Sequence, residues 1–180
     1  MHPPSADEQT ALIVPIPEAE PVVAALRAEL DASAAKGVPA HVTVLYPFLP
    51  PPSVTPDVLN TLRDLFAAHE PFGIDFTEVR WFGDLVTWLA PEPDMTFRRL
   101  TAEVWHRFPE APPYGGEHDG NHPHLTIGHD HPVAALERAA QEVTTQLPVA
   151  ANVQAVHLVA GSDAPNSWRT LEVFTLGNPH

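Results

Sequence analysis

The sequence predicts an α+β fold built as an internal duplication, with two halves facing each other across a cleft. Two observations predict it. Apolar periodicity switches between two and about 3.6 in a fixed order (strand, helix, strand, helix, strand), and that order is traversed twice with one closing strand. A short pattern, Gly-x-x-x-His-x-Thr, also occurs once in each half: Gly37 before His41-Val42-Thr43, and Gly120 before His124-Leu125-Thr126. We read residues 1–180 as one domain of two lobes, with halves of roughly 11–84 and 85–177.

The elements follow from local chemistry. Ala11 to Ile16 is a short apolar run with β-branched Ile13 and Val14, closed by Pro15 and Pro17, and reads as a strand. Val22, Val23, Leu26 and Leu30 then fall at helical spacing over 18–30, with Pro21 tolerated in the first turn. Gly37 ends the connection, and the first motif strand is expected from His41 to about Phe48, where Pro50, Pro51 and Pro52 stop it. Thr55-Pro56 is a helix start, a hydroxyl cap followed by proline at the first helical position, and Val58, Leu59, Leu62, Leu65 and Phe66 form its apolar stripe. Two strands are expected at about 72–81 and 85–90 around a Gly83-Asp84 turn.

In the second half a helix over 94–108 buries Leu100, Val104 and Phe108. A loop over 109–123, rich in proline and glycine, leads to the second motif strand. Pro132 opens a further helix with Val133, Leu136, Ala140, Val143 and Leu147 on one face. Strands over 149–160 and 168–176 close the chain.

Composition narrows the function classes. The balance of 9 basic to 23 acidic residues, a net charge of −14, disfavours any surface that tracks a long polyphosphate chain, because such affinity comes from lysine and arginine neutralising phosphates. A nucleotide ligand is therefore expected to be small, or a chain end. The absence of cysteine removes disulfides, thiolate metal sites and thiol nucleophiles. The first residues lack the layout of a signal peptide, and no apolar run approaches the ~20 residues that span a bilayer, so a cytoplasmic monomer without membrane contact is expected.

Two residues apart on a strand, His41 and Thr43 share a face, as do His124 and Thr126, so each motif sets a proton carrier beside a hydroxyl donor. With histidine's pKa near 6.5, one ring can be neutral while the other is charged, the state needed for a base and an acid acting together. Tyr114, in the glycine-rich loop, is a candidate for stacking on a base; Tyr46, Phe48, Trp81, Trp88 and Trp168 are expected in the core, with Tyr46 also kept as a candidate for substrate contact. Arg98, Arg99 and Arg169 are candidate phosphate partners, with solvation on a helix surface or ion pairing favoured for Arg98 and Arg99. A competing class is a metal-dependent hydrolase, since His118, His122, His124, His129 and His131 crowd into 14 residues with Asp119 and Asp130, although their spacing fits no zinc signature. A third class is a catalytically silent nucleotide-binding domain.

The stretches Gly37-Val38-Pro39-Ala40-His41-Val42-Thr43-Val44-Leu45-Tyr46-Pro47-Phe48, Pro112-Pro113-Tyr114-Gly115-Gly116 and Pro123-His124-Leu125-Thr126-Ile127 together resemble the two-histidine phosphoesterases, nearest to their bacterial 2'-5' RNA ligase-like branch. The resemblance extends from about Ala11 to Gly177. It implies a bilobal fold with two antiparallel-rich sheets flanking a central cleft, helices on the outer faces, and one His-x-Thr from each lobe in the cleft. It further implies an enzyme that needs no metal or other cofactor and acts on a 2',3'-cyclic phosphate or 2'-5' phosphodiester at an RNA terminus or in a small nucleotide. By position, His41 and His124 would be catalytic and Thr43 and Thr126 would bind substrate; Tyr114 and Tyr46 join them as substrate-binding candidates on the reading of the residues alone. The chain departs from its relatives after the second motif, where Gly128-His129 stands near a position that often carries arginine.

Overall fold

The computed structural model describes residues 7–116 and 122–177. Strand β1 (Gln9–Pro15) leads through a 3-10 turn at Pro17–Ala19 into helix α1 (Glu20–Leu30), a one-turn helix α2 (Ala32–Ala35) and strand β2 (His41–Leu45). Helix α3 (Pro56–Ala67) and the hairpin β3 (Phe72–Phe82) and β4 (Val86–Glu92) follow, then helix α4 (Met95–Arg107), strand β5 (Leu125–His129) and helix α5 (Val133–Thr144). Strands β6 (Val149–Val153), β7 (Ala155–Gly161) and β8 (Arg169–Thr175) end the described chain. No helix among the described residues is long and apolar enough to cross a membrane.

The strands form two antiparallel four-stranded sheets, in the orders β2-β1-β7-β8 and β5-β4-β3-β6. Each motif strand is thus an edge, and the two edges lie against each other between the sheets. The sheets cut across the order of the sequence. Strand β3, from the first half, pairs with β4, whereas β7, from the second, pairs with β1.

The main departure from the expected elements is here. The single strand expected over 149–160 is two strands, β6 and β7, which change sheet at Gln154. The inward positions change phase at the break, from Val149, Ala151 and Val153 on β6 to Val156 and Leu158 on β7, and the run of apolar residues on either side of Gln154 does not show which strand pairs with either part. The first motif strand also ends early, at Leu45 rather than Phe48, because Pro47 has no N–H for a ladder. Phe48 stays buried, and its backbone N–H bonds Thr10 O at 2.9 Å. The last helix stops at Thr144, short of Leu147, and α2 had no apolar period to announce it.

Edge strands need partners for their free backbone groups. For β2 one comes from α4, where the Thr101 hydroxyl donates to Val44 O at 2.7 Å. Helices cross between the halves: α4 packs on β2, and α1 packs on β5. At Gly128 the fit is tight, since a Cβ there would stand 2.7 Å from Leu136 Cδ2 and 3.0 Å from Leu30 Cβ. The core lies between the helices and the inner sheet faces, with Leu12, Val42, Leu62, Phe66, Phe76, Phe97, Leu125 and Phe174 at its centre.

Gly161 sits under Trp168, and a Cβ added there would collide with the indole ring and lie 2.7 Å from Trp168 Cα. Gly161→Ala should therefore force backbone as well as ring to move and cost about 1–3 kcal/mol, the range for an overpacked site. Urea denaturation followed by tryptophan fluorescence measures this, with a shift in the native emission of Trp168 expected alongside the lower midpoint.

Candidate active site

His41 opens β2, and His124 stands one residue before β5. In each, Nδ1 lies 2.7 Å from the carbonyl oxygen two residues earlier, Pro39 O for His41 and His122 O for His124. A carbonyl only accepts, so Nδ1 carries the proton and the neutral ring presents its lone pair on Nε2. The two rings are close enough for a charge on His124 to lower the pKa of His41.

Their surroundings differ. Burial holds His41 at about 4, opposed by its bond to Pro39 O; the Arg27 cation lowers it further and the Asp31 carboxylate raises it. Arg27 and Asp31 form a buried pair, Nε to Oδ2 at 3.0 Å, and Arg27 also donates to Ser33 Oγ and to Val38 O, each at 3.0 Å. Glu20 accepts from Ala40 N at 2.6 Å. Two side chains of α1 therefore grip the segment that leads into His41. His124 is lowered by burial too, opposed by its bond to His122 O and aided by the neighbouring His122 ring. Its walls are aromatic: Phe82 and Trp88 stand edge-on to it at 5.1 and 5.8 Å between ring centres, and they stack on one another at 4.6 Å.

Thr43 lies opposite Ile13 on β1, and Thr126 opposite Trp88 on β4. The Thr43 hydroxyl bonds the phenol oxygen of Tyr114, whose pKa burial raises, so the phenol stays protonated at neutral pH. Tyr114 reaches this position from a left-handed backbone (φ 52°), with its N–H donated to Tyr46 O at 2.6 Å. The ring of Tyr46 lies between those of Tyr114 (6.5 Å) and Trp168 (6.4 Å), and its hydroxyl donates to Gln9 Oε1 at 2.5 Å. Beside His41 and Thr43 opens a cavity of about 230 Å³, floored by Ala11, Ile13 and Val159 and walled by Tyr46, Trp168, Gln9 and Lys36.

The sequence profile of the 2'-5' RNA ligase superfamily matches residues 14–164. The chain belongs to that superfamily. Among solved structures it is similar to the protein TT0787 of Thermus thermophilus, with a TM-score of 0.63 at 22% identity over 96% of this chain and all of that one (100%). It is also similar to E. coli LigT in complex with 3'-AMP, with a TM-score of 0.59 at 18% identity over 94% of this chain and 98% of that one. No curated protein sequence matches significantly.

The two-histidine phosphoesterase architecture expected from the sequence is the one observed. Tryptophans assigned to the core divide differently: Trp88 is buried but forms the wall beside His124, and Trp168 lines the cavity. Of the candidate phosphate partners, Arg98 bonds Asp94, and Arg169 grips both carboxylate oxygens of Glu8 at 3.0 and 3.2 Å. Arg99 lines a surface groove between α3 and α4. For the histidine-rich segment, His118, Asp119 and Gly120 lie outside the described residues; among the described residues no three His, Cys, Asp or Glu side chains gather as a metal set. Sequence reasoning missed Arg27, Glu20, Phe82 and Lys36. Lys36 had a signal, since it is the only lysine in the chain.

The depressed pKa of His41 links protons to stability. Between its ordinary 6.5 and about 4 the unfolded chain binds a proton that the folded protein refuses, so this contribution is present above 6.5 and lost as pH falls through that window. From about pH 7 to about pH 4.5, wild type should lose roughly 2–3 kcal/mol more than His41→Gln in urea unfolding. Equal losses in both proteins would mean that the ring takes up its proton freely.

Proposed function

We propose that the chain is a metal-independent phosphoesterase, working as a cytoplasmic monomer, that opens a 2',3'-cyclic phosphate or cleaves a 2'-5' phosphodiester at an RNA end or in a small nucleotide. The observation that carries this reading is the paired geometry: two rings at the starts of facing edge strands, each held by Nδ1 to a carbonyl, each with a threonine two residues on. One neutral histidine takes a proton from water through Nε2 as the water oxygen bonds phosphorus. The other, protonated, gives its proton to the ribose oxygen as the bond from that oxygen to phosphorus breaks. As substrate enters, Thr43 turns its hydroxyl from the Tyr114 phenol to the phosphate, and Thr43, Thr126 and the Tyr114 phenol donate to the non-bridging oxygens as negative charge builds on them. With a ribose 5'-hydroxyl in place of water attacking the cyclic phosphate, one histidine takes its proton, the bond from phosphorus to the 3' oxygen breaks with a proton from the other, and the ends are joined through a 2'-5' bond.

Burial lowers both histidines, so without substrate the site holds two neutral rings at neutrality and lacks its acid. The phosphate anion of the substrate favours a charged ring and supplies part of the compensation. E. coli LigT has been seen with 3'-AMP, with NADP+ and with ATP, and by that likeness adenine nucleotides are the first ligands to try.

Adenosine 2',3'-cyclic phosphate and a 2'-5' dinucleotide are the substrates for the test, with the position of the product phosphate assigned by chromatography. His41→Ala and His124→Ala should each lower kcat by about a hundredfold or more, with or without a chelator. Thr43→Val and Thr126→Val should lower kcat while leaving the unfolding midpoint nearly unchanged. For wild type, kcat/KM should peak on the acid side of neutrality, with one limb near 4 and the other below 6.5. Loss of activity with chelator and its return with zinc would replace this mechanism by metal-assisted hydrolysis. Nucleotide binding without turnover would identify a silent binding domain.

A further inference from the structure

The single lysine of this acidic chain stands at the rim of the cavity that holds His41 and Thr43. Its backbone is fixed from two sides. Lys36 caps α2, its carbonyl accepts from Trp168 N at 3.0 Å, and the following Gly37, at φ 96°, lets the chain pass the backbone of Asn166 and Trp168. The ammonium meets Asp163 Oδ1 at 2.9 Å, and that carboxylate is otherwise fully exposed. Stapling the loop after β7 does not explain the pair. Asn166 N already donates to Ala35 O at 3.0 Å, and Trp168 Nε1 to Ser162 O at 3.0 Å, whereas an ion pair this exposed contributes little to stability.

An incoming anion can displace Asp163 at small cost, since the carboxylate simply returns to water. No other lysine or arginine lines the cavity among the described residues; Arg27 is spent on Asp31, Ser33 and Val38 O, and Arg169 on Glu8. The cavity runs from β2, with His41 and Thr43, across β1 to the loop after β7, with Asp163 and Trp168. That is two strand spacings, or about 10 Å, too far for one phosphate to touch both ends. The volume of about 230 Å³, below the roughly 300–1,000 Å³ of larger ligand sites, suits one nucleoside between them.

We propose that Lys36 binds a second phosphate, on the 5' side of the nucleotide whose 3' end carries the reacting phosphodiester, and so selects an RNA 3' terminus or a nucleoside bisphosphate over a nucleoside with one phosphate. The proposal rests on the reading of His41 and Thr43 as the reacting-phosphate end, and its test is binding, so it stands or falls separately from turnover.

Affinities for adenosine 3'-monophosphate, adenosine 3',5'-bisphosphate and the 3'-phosphorylated dinucleotide UpAp are measured by calorimetry on wild type, Lys36→Met and Asp163→Asn. Wild type should bind at least one of the two 5'-phosphorylated ligands about five- to tenfold more tightly than the monophosphate. A gain for both marks the 5' phosphate itself as sufficient; a gain for one alone names the free bisphosphate or the chain end as the source. Lys36→Met should abolish the gain without weakening the monophosphate, and Asp163→Asn should enlarge it. Reductive ¹³C-methylation adds a direct view, because it labels one lysine and the N-terminal amine: the Lys36 signal should move with the bisphosphate and stay with the monophosphate. A preference that survives Lys36→Met, an equal loss for all three ligands, or no preference in wild type overturns the proposal.

Discussion

Helix α1 joins the two motifs. Its Leu30 closes on Gly128 of β5, and its Glu20 and Arg27 hold Ala40 N and Val38 O just ahead of His41. One rigid element thus sets the strand that follows one histidine and the lead-in to the other. The Arg27 and Asp31 pair makes the arrangement demanding, because removing one partner of a buried ion pair strands the other at a cost of about 3–5 kcal/mol. Chemistry that needs two groups on opposite sides of one phosphorus loses much of its rate to small misplacements. In the proposed mechanism the helix therefore matters to rate without lining the cavity beside His41.

Exchange of strands makes the same point at the scale of the fold. Because β3 joins the sheet of β4 and β7 joins that of β1, neither half of the sequence holds a complete sheet. The cleft lies between two edges that only the whole chain can assemble. Contacts in the described fold are mostly between residues distant in sequence, the kind that carry a high loop-closure cost before they return stability.

At the centre the site is symmetric, and around it one-sided. Both histidines donate Nδ1 to the carbonyl two residues back, and both lose proton affinity to burial. The charged pair of Arg27 and Asp31 and the cavity belong to His41; the stacked Phe82 and Trp88 belong to His124. The symmetric part is the repeated His-x-Thr itself, and the flanking strands make the rest one-sided: Ile13 occupies on β1 the place opposite threonine that Trp88 occupies on β4.

Local chemistry in the sequence determined much of this. The Thr55 hydroxyl accepts from Val58 N and starts α3 as cap and proline predict, Gly83 turns between β3 and β4, and the two His-x-Thr stretches lie on strands because alternation there is unbroken. Family and fold class were legible from those stretches, since the repeat itself is local in sequence. Tertiary structure alone decided that residues 149–160 divide between two sheets, that Trp88 stands against a histidine, and that the charge of Arg27 acts on His41. The physical reason is the same in each case. Periodicity states which face of an element is apolar, whereas the partner on that face comes from a residue far along the chain, and burial and neighbouring charge, which move the histidines, exist only once those partners meet.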